Sequence, residues 1–330
     1  MTNDTITGAD DIHSATPLHR APVPARAIRL GTRQSPLALA QAEETRTRLC
    51  AVHGWPDTAV ELVPVVASGD RIQDRPLADI GGKALWTREL DFWLAEGTID
   101  AAVHSMKDVE TLRPDALTIA AVLPRADVRD VLVGADSIAA IAPGARVGTS
   151  APRRAAQMLH ARPDLVIVGM RGNVATRLAK LARGEADVTL LAAAGLERLD
   201  QTSVGTALAA DVWLPAAAQG AIGIECLTVR TDLRALFATI DHAPSHTAIR
   251  AERALLLGLG GTCHSPIAVL TRHDGDTLHL TAALFSPDGV HRVEISGTVP
   301  ASDPEAAERF AADLLDRAPA PIRNHFHGKP

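Results

Sequence analysis

The chain has 330 residues, 46% hydrophobic and 22% charged, with a net charge of -6 at pH 7. That length asks for two or three domains, and the balance of residues describes a globular protein with a substantial core. There is no tyrosine and aromatic residues make up 3%, which removes the stacking platforms of single-stranded nucleic-acid binders; the negative charge argues against a general phosphate-backbone binder.

Residues 1–26, rich in Thr, Asp, Ala and Pro, read as a disordered tail without a secretion or organellar pattern. Order is expected from Ala27-Ile28-Arg29-Leu30, a strand running into Gly31-Thr32-Arg33-Gln34-Ser35-Pro36. Ser35 before Pro36 is a helix start, with the hydroxyl as N-cap and proline at the first helical position. A helix N-terminus at a strand end favours anions, and Arg33 adds a guanidinium there. A second strand near 60–66 leads to Ile80-Gly81-Gly82-Lys83, whose glycines and lysine suit a mobile lid over a ligand. After a helix over 87–96, a buried strand ends in His104-Ser105-Met106-Lys107-Asp108, an unusually dense polar cluster where open α/β sheets place ligands.

The sequence then echoes itself. Ala145-Arg146-Val147-Gly148-Thr149 resembles Ile28-Arg29-Leu30-Gly31-Thr32, and Gly184-Glu185-Ala186-Asp187-Val188 resembles Gly97-Thr98-Ile99-Asp100-Ala101. Two echoes in the same order predict two α/β lobes flanking a cleft. Lysine occurs only at Lys83, Lys107, Lys180 and Lys329, so the cationic side chains are nearly all arginine. Arg153, Arg154, Arg171 and Arg177 collect near one sheet edge of the second lobe, and their forked guanidinium groups suit a polyanionic ligand. A glycine-relieved strand over 219–226 crosses back to the first lobe. From about 243 a helix, three strands and a closing helix predict a small α+β module.

The three cysteines, Cys50, Cys226 and Cys263, are too few and too widely spaced for a disulfide framework or a Cys-x-x-Cys metal site, and no metal is expected. They fit a reducing cytoplasm, and no apolar run reaches membrane-spanning length. Cys263 stands out because it sits in Gly260-Gly261-Thr262-Cys263-His264-Ser265-Pro266. On the residues alone it is either a small buried hydrophobe or a reactive thiol.

Six ordered motifs resemble the porphobilinogen deaminase family. They are Gly31-Thr32-Arg33-Gln34-Ser35-Pro36-Leu37-Ala38, Gly81-Gly82-Lys83, Ala102-Val103-His104-Ser105-Met106-Lys107-Asp108-Val109, Arg171-Gly172-Asn173-Val174, Gln219-Gly220-Ala221 and Gly223-Ile224-Glu225-Cys226. The resemblance covers about 28–318. It implies two α/β lobes like those of periplasmic binding proteins around a cleft, plus a small C-terminal α+β domain. The implied division is domain 1 over 27–124 and 216–240, domain 2 over 125–215 and domain 3 over 241–330.

The implied activity is a transferase of tetrapyrrole biosynthesis. It joins four porphobilinogen units head to tail on a dipyrromethane primer, releasing ammonia at each step and then hydroxymethylbilane. By the resemblance, Cys263 holds that primer through a thioether, and Asp108 is the essential carboxylate with Lys107 beside it. Arg33, Ser35, Lys83, Ser105, Arg153, Arg154, Arg171, Arg177 and Gln219 would contact the cofactor and growing chain. Each pyrrole carries two carboxylates, which accounts for the arginines. The implied partners are porphobilinogen and the pyrrole chain, with no nucleic acid or membrane, and the enzyme is expected to be a cytoplasmic monomer. The chain departs from the family pattern at Asp79, Ala84, Trp86, Glu110, Val128, Ala151 and Pro152. Two alternatives to the enzyme stand: a two-lobed solute binder, which the lobes and anion cleft alone would also suit, and, given these departures, a degenerate relative that binds pyrroles without joining them.

Overall fold

The computed structural model describes residues 20–65, 84–261, 265–326 and 328. A first lobe opens with β1 (Ile28–Arg33), α1 (Pro36–His53), β2 (Val60–Val65), α2 (Ala84–Ala95), β3 (Ala101–Ser105) and β4 (Leu117–Val122). The chain crosses to a second lobe of β5 (Asp130–Val133), β6 (Arg146–Gly148), α3 (Pro152–Ala161), β7 (Val166–Val168), α4 (Val174–Ala182), β8 (Val188–Ala192), α5 (Ala193–Glu197) and β9 (Thr206–Ala207). It returns with β10 (Ile222–Leu227) and continues through α6 (Thr231–Phe237). A third body follows, built from α7 (Ala243–Leu259), β11 (Ile267–Asp274), β12 (Thr277–Phe285), β13 (Arg292–Pro300), α8 (Pro304–Arg317) and α9 (Ala320–Arg323).

The sheet orders are β2-β1-β3-β10-β4 in the first lobe and β7-β6-β8-β5-β9 in the second. In each, four strands run parallel to one another and one antiparallel strand, β10 or β5, sits between the third and the fifth. The two echoes of the sequence fall on equivalent places. Leu30 pairs with Ala101 and Gly31 with Ala102, as Val147 pairs with Val188 and Gly148 with Thr189. Arg29 N–H donates to Asp100 Oδ2 (2.9 Å) and Arg146 N–H to Asp187 Oδ2 (2.7 Å), and each aspartate N–H returns a bond to its arginine's carbonyl. Gly31 and Gly148 are each pressed by a buried side chain, Ile99 in one lobe and Met170 in the other, so a Cβ fits at neither.

Ser35 caps α1 as its sequence predicts, accepting from Ala38 N–H at 3.3 Å, and Pro36 occupies the first turn. β3 carries apolar residues on both faces because it lies inside its sheet, covered on each side. The third body packs its three antiparallel strands against α7 and α8 around Leu255, Leu259, Leu280, Leu284, Ala311 and Leu314.

The tail expectation splits. Residues 1–19 lie outside the described part, whereas 20–26 are anchored. Ala21 N–H donates to His53 Nδ1 (3.1 Å), and its carbonyl accepts from Trp55 Nε1 (2.9 Å). Arg26 forks onto Asp100 at 2.7 and 2.6 Å. The polar composition of this stretch conceals two specific docking points. Among the described residues, no helix is long and apolar enough to cross a membrane.

Candidate active site

The carboxyl ends of β1 and β3 meet at a small cavity of about 80 Å³. Arg33 and Ser35 reach it from the turn between β1 and α1, and Gln41 from the next turns of that helix. Ser105 and Asp108 reach it from the end of β3 and the single 3₁₀ turn Met106–Asp108. That turn is fastened where it begins, since Met106 N–H donates to the Ala221 carbonyl at 3.0 Å. Gln41 fixes the Ser105 hydroxyl, donating from Nε2 at 2.7 Å. Asp108 and Lys107 are half-buried, a setting in which a charged group stays reachable but is partly stripped of water.

Next to the cavity lies a charged network from four segments. Glu225, fully buried on β10, lies 3.1 Å from His104 Nε2 and accepts from Arg113 at 2.9 and 2.8 Å. Burial alone would raise the Glu225 pKa, but His104 and Arg113 outweigh it and bring it down to about 2. Arg113 also grips Asp91 and donates to Glu110 (2.7 Å), which accepts from the Thr87 hydroxyl (2.8 Å). Glu110, a departure from the family pattern, is therefore part of the support beneath the turn.

The predicted site residues divide into two groups. Arg33, Ser35, Ser105 and Asp108 line one cavity. Arg153, Arg154 and Gln219 instead gather around Asp130, which is fully buried. Arg153 Nη2 and Arg154 Nη2 each donate to its carboxylate at 2.7 Å, joined by Trp213 Nε1 and Gln219 Nε2 at 2.9 Å. Their remaining bonds include the carbonyls of Leu214, Leu190 and Val128. Arg153 and Arg154 are both buried rather than lying open along the sheet edge. The second lobe encloses both in the first turn of α3, which Pro152 opens. The same proline offsets the missing cap hydroxyl at Ala151, whose N–H is taken by Thr149 Oγ1 at 3.1 Å.

Arg177 links the groups. Burial, with Arg154 acting the same way and the charge of Asp108 pulling the other, lowers its pKa to about 10. The cation of α4 is thereby within electrostatic reach of both clusters, across the two lobes. Arg171 is half-buried in the connection from β7 to α4. Lys83, Cys263 and the glycines of the expected lid lie outside the described residues.

This donor set fits a dipyrromethane carrying several carboxylates. Two guanidinium groups on one carboxylate leave a net positive charge inside the second lobe, and Arg177 is a further cation, partly desolvated, within the field of Arg154. An anion with separated carboxylates would relieve both.

Five charged residues that the structure places around the crossings and the Asp108 turn escaped the sequence reading. Arg125 Nη1 and Nη2 donate to buried Glu252 at 2.7 and 3.0 Å, and Glu252 also accepts from Ala218 N–H at 2.6 Å. Arg198 of the second lobe reaches Glu44 of α1 at 3.4 Å and donates to the Gly220 carbonyl at 3.1 Å. Arg253 of α7 donates to carbonyls just beyond Asp108. An acidic–basic pair inside an amphipathic helix, as at Glu252 and Arg253, gave no signal that both face inward.

Comparison with known proteins agrees with the geometry. Residues 28–235 match the family model described as porphobilinogen deaminase, dipyromethane cofactor binding domain, and 246–317 match the porphobilinogen deaminase C-terminal domain. The porphobilinogen deaminase of Sphingopyxis alaskensis is 54% identical over 309 residues, covering 92% of this chain and 98% of that one. That of Paracoccus denitrificans is 46% identical over 303 residues, covering 91% and 97%. The chloroplastic protein of rice, Oryza sativa, is 46% identical over 279 residues, covering 83% and 78%. Among solved structures, the periplasmic sulfonate-binding protein SsuA of Methylobacillus flagellatus aligns at 14% identity and a TM-score of 0.37, covering 70% of this chain and 68% of that one. On the two domain matches and these identities, the chain belongs to the porphobilinogen deaminase family.

Proposed function

We propose that the chain joins four porphobilinogen molecules head to tail on a dipyrromethane held by Cys263, releasing ammonia at each addition and finally hydroxymethylbilane. The observation that carries this reading is the meeting of Asp108 with Arg33 and Ser105 at one cavity, within the field of Arg177 from the opposite lobe. A carboxylate facing cations is what a reaction with positively charged pyrrole intermediates and a carboxylate-bearing substrate requires.

The bound dipyrromethane supplies the nucleophilic pyrrole carbon at which the chain grows. Asp108 stabilises positive charge by accepting hydrogen bonds from pyrrole N–H groups, and its oxygen takes the proton released when aromaticity returns. Lys107 lies beside it on the same turn. Arg33, Arg171 and Arg177, with Lys83, bind the acetate and propionate groups, each charge-assisted bond contributing about 1.5–3 kcal/mol. Ser35 and Ser105 orient smaller polar groups at the cavity wall. Arg153, Arg154 and Gln219 support this set from around Asp130, supplying positive potential to a bound carboxylate. We expect a cytoplasmic monomer working without nucleic acid, in keeping with the net charge of -6 and three dispersed cysteines.

Asp108→Asn tests the assignment. The variant is expected to keep its covalent cofactor, read by intact mass, and to lose turnover by about 10²–10⁴-fold. Near-normal bilane formation would remove Asp108 from the chemistry. Absent turnover in the variant with a cofactor-loaded wild type equally inert would favour a degenerate pyrrole binder.

A further inference from the structure

The turn that carries Asp108 is gripped from the third body. Arg253, half-buried on α7, donates through Nη2 to the carbonyls of Glu110 (2.6 Å) and Thr111 (3.0 Å), and through Nη1 to that of Val109 (3.3 Å). These are the three residues that immediately follow Asp108. The turn's other end is held by the Ala221 carbonyl, so the carboxylate sits on a short span fixed at both sides. The carboxylate of Glu110 is meanwhile tied to Thr87 and Arg113, which stops the gripped segment from sliding along the guanidinium.

We propose that Arg253 is a positioning residue for the reaction, setting the place of the Asp108 carboxylate by holding the main chain that follows it. The inference rests on the reading of Asp108 given above. Arginine suits the task because its planar fork spans several carbonyl oxygens at once, whereas the lysine ammonium is a single point. Neutral acceptors also leave the grip unaffected by the protonation of any carboxylate. Burial lowers the Arg253 pKa, with Arg113 acting the same way and Glu225 and Glu110 opposing, so the group remains a cation. The neighbouring residue on the helix, Glu252, binds Arg125 and Ala218 N–H at the two crossings between the lobes. One turn of α7 therefore references the catalytic turn and both crossings to the same rod. That helix ends at Leu259, shortly before Cys263 in the sequence.

The test compares Arg253→Met and Arg253→Lys with wild type in cofactor-loaded enzyme. Arg253→Met is expected to lower kcat by about 10- to 100-fold, the scale of a misplacement near 1 Å, with KM changed less than about twofold. The covalent cofactor mass should be unaltered, and Arg253→Lys should recover part of the rate. In an Asp108→Glu background, where the carboxylate is already displaced, adding Arg253→Met should cost less than about threefold. Unchanged kcat in Arg253→Met would overturn the proposal, as would an undiminished loss in the Asp108→Glu background. If Arg253→Met does not fold, Arg253→Lys with wild-type kcat overturns it on its own. Failure of the underlying reading looks different: Asp108→Asn would then retain turnover whatever Arg253 does.

Discussion

Asp130 and Glu225 are fully buried carboxylates held ionised by cations that come from distant parts of the chain. A buried charge of this kind is costly to strip of its partner, so each pair specifies a geometry more than it adds stability. Glu225 makes that measurable through pH. Its pKa falls from the ordinary 4.5 to about 2 on folding, so its contribution is present above pH 4.5 and lost as pH falls toward 2. Chemical denaturation should show stability falling across that window, with Glu225→Gln less stable at pH 7 by roughly 3 kcal/mol and flatter in the acid limb. Equal acid slopes for wild type and variant would refute the assignment. At this scale the residues that line the cavity were legible, since Asp108, Arg33 and Ser105 sit in the motifs that carry the resemblance. Their supports were not. His104 and Glu225 stand 121 positions apart, and Arg113 lies in a loop with no pattern of its own, so only folding pairs them.

The repeated strand–helix units show what an internal echo can and cannot tell. Arg29 and Arg146, with Asp100 and Asp187, lie in the short matching strings, and they brace equivalent strand pairs in the two lobes. The return strand β10 was legible as a glycine-relieved strand, but its reason for glycine was not. At Gly223 a Cβ would collide with the sulfur of Met106, a fully buried residue that opens the Asp108 turn. Overpacking there is expected to cost about 1–3 kcal/mol. Gly223→Ala should therefore lower the melting temperature and also depress kcat, because the strain enters the catalytic turn directly. Wild-type kcat in a folded Gly223→Ala enzyme would show that Met106 moves aside without disturbing Asp108. The arginines of α3 mark the opposite limit. Their clustering suggested a ligand surface, yet the helix start that carries them points both toward Asp130, a direction that composition cannot supply.

Taken whole, the molecule hangs two lobes on a third body. Both crossings between the lobes converge on Glu252, and Ala218 in the return crossing adopts a left-handed conformation (φ 58°), rarely tolerated by a side chain and sustained here by its bond to that carboxylate. Arg198 closes the inner edge by reaching Glu44 across the lobes. The third body thus does more than carry a cysteine, since it holds the frame against which the catalytic turn and the crossings are set. The central claim is that Cys263 is the attachment point of a primer on which this frame builds the chain. Intact mass spectrometry of the purified wild type and of Cys263→Ala tests it directly. The wild type should exceed its sequence mass by one dipyrromethane, and Cys263→Ala should match its sequence mass. An unmodified, active wild type, or a Cys263→Ala variant that retains the added mass, would contradict it.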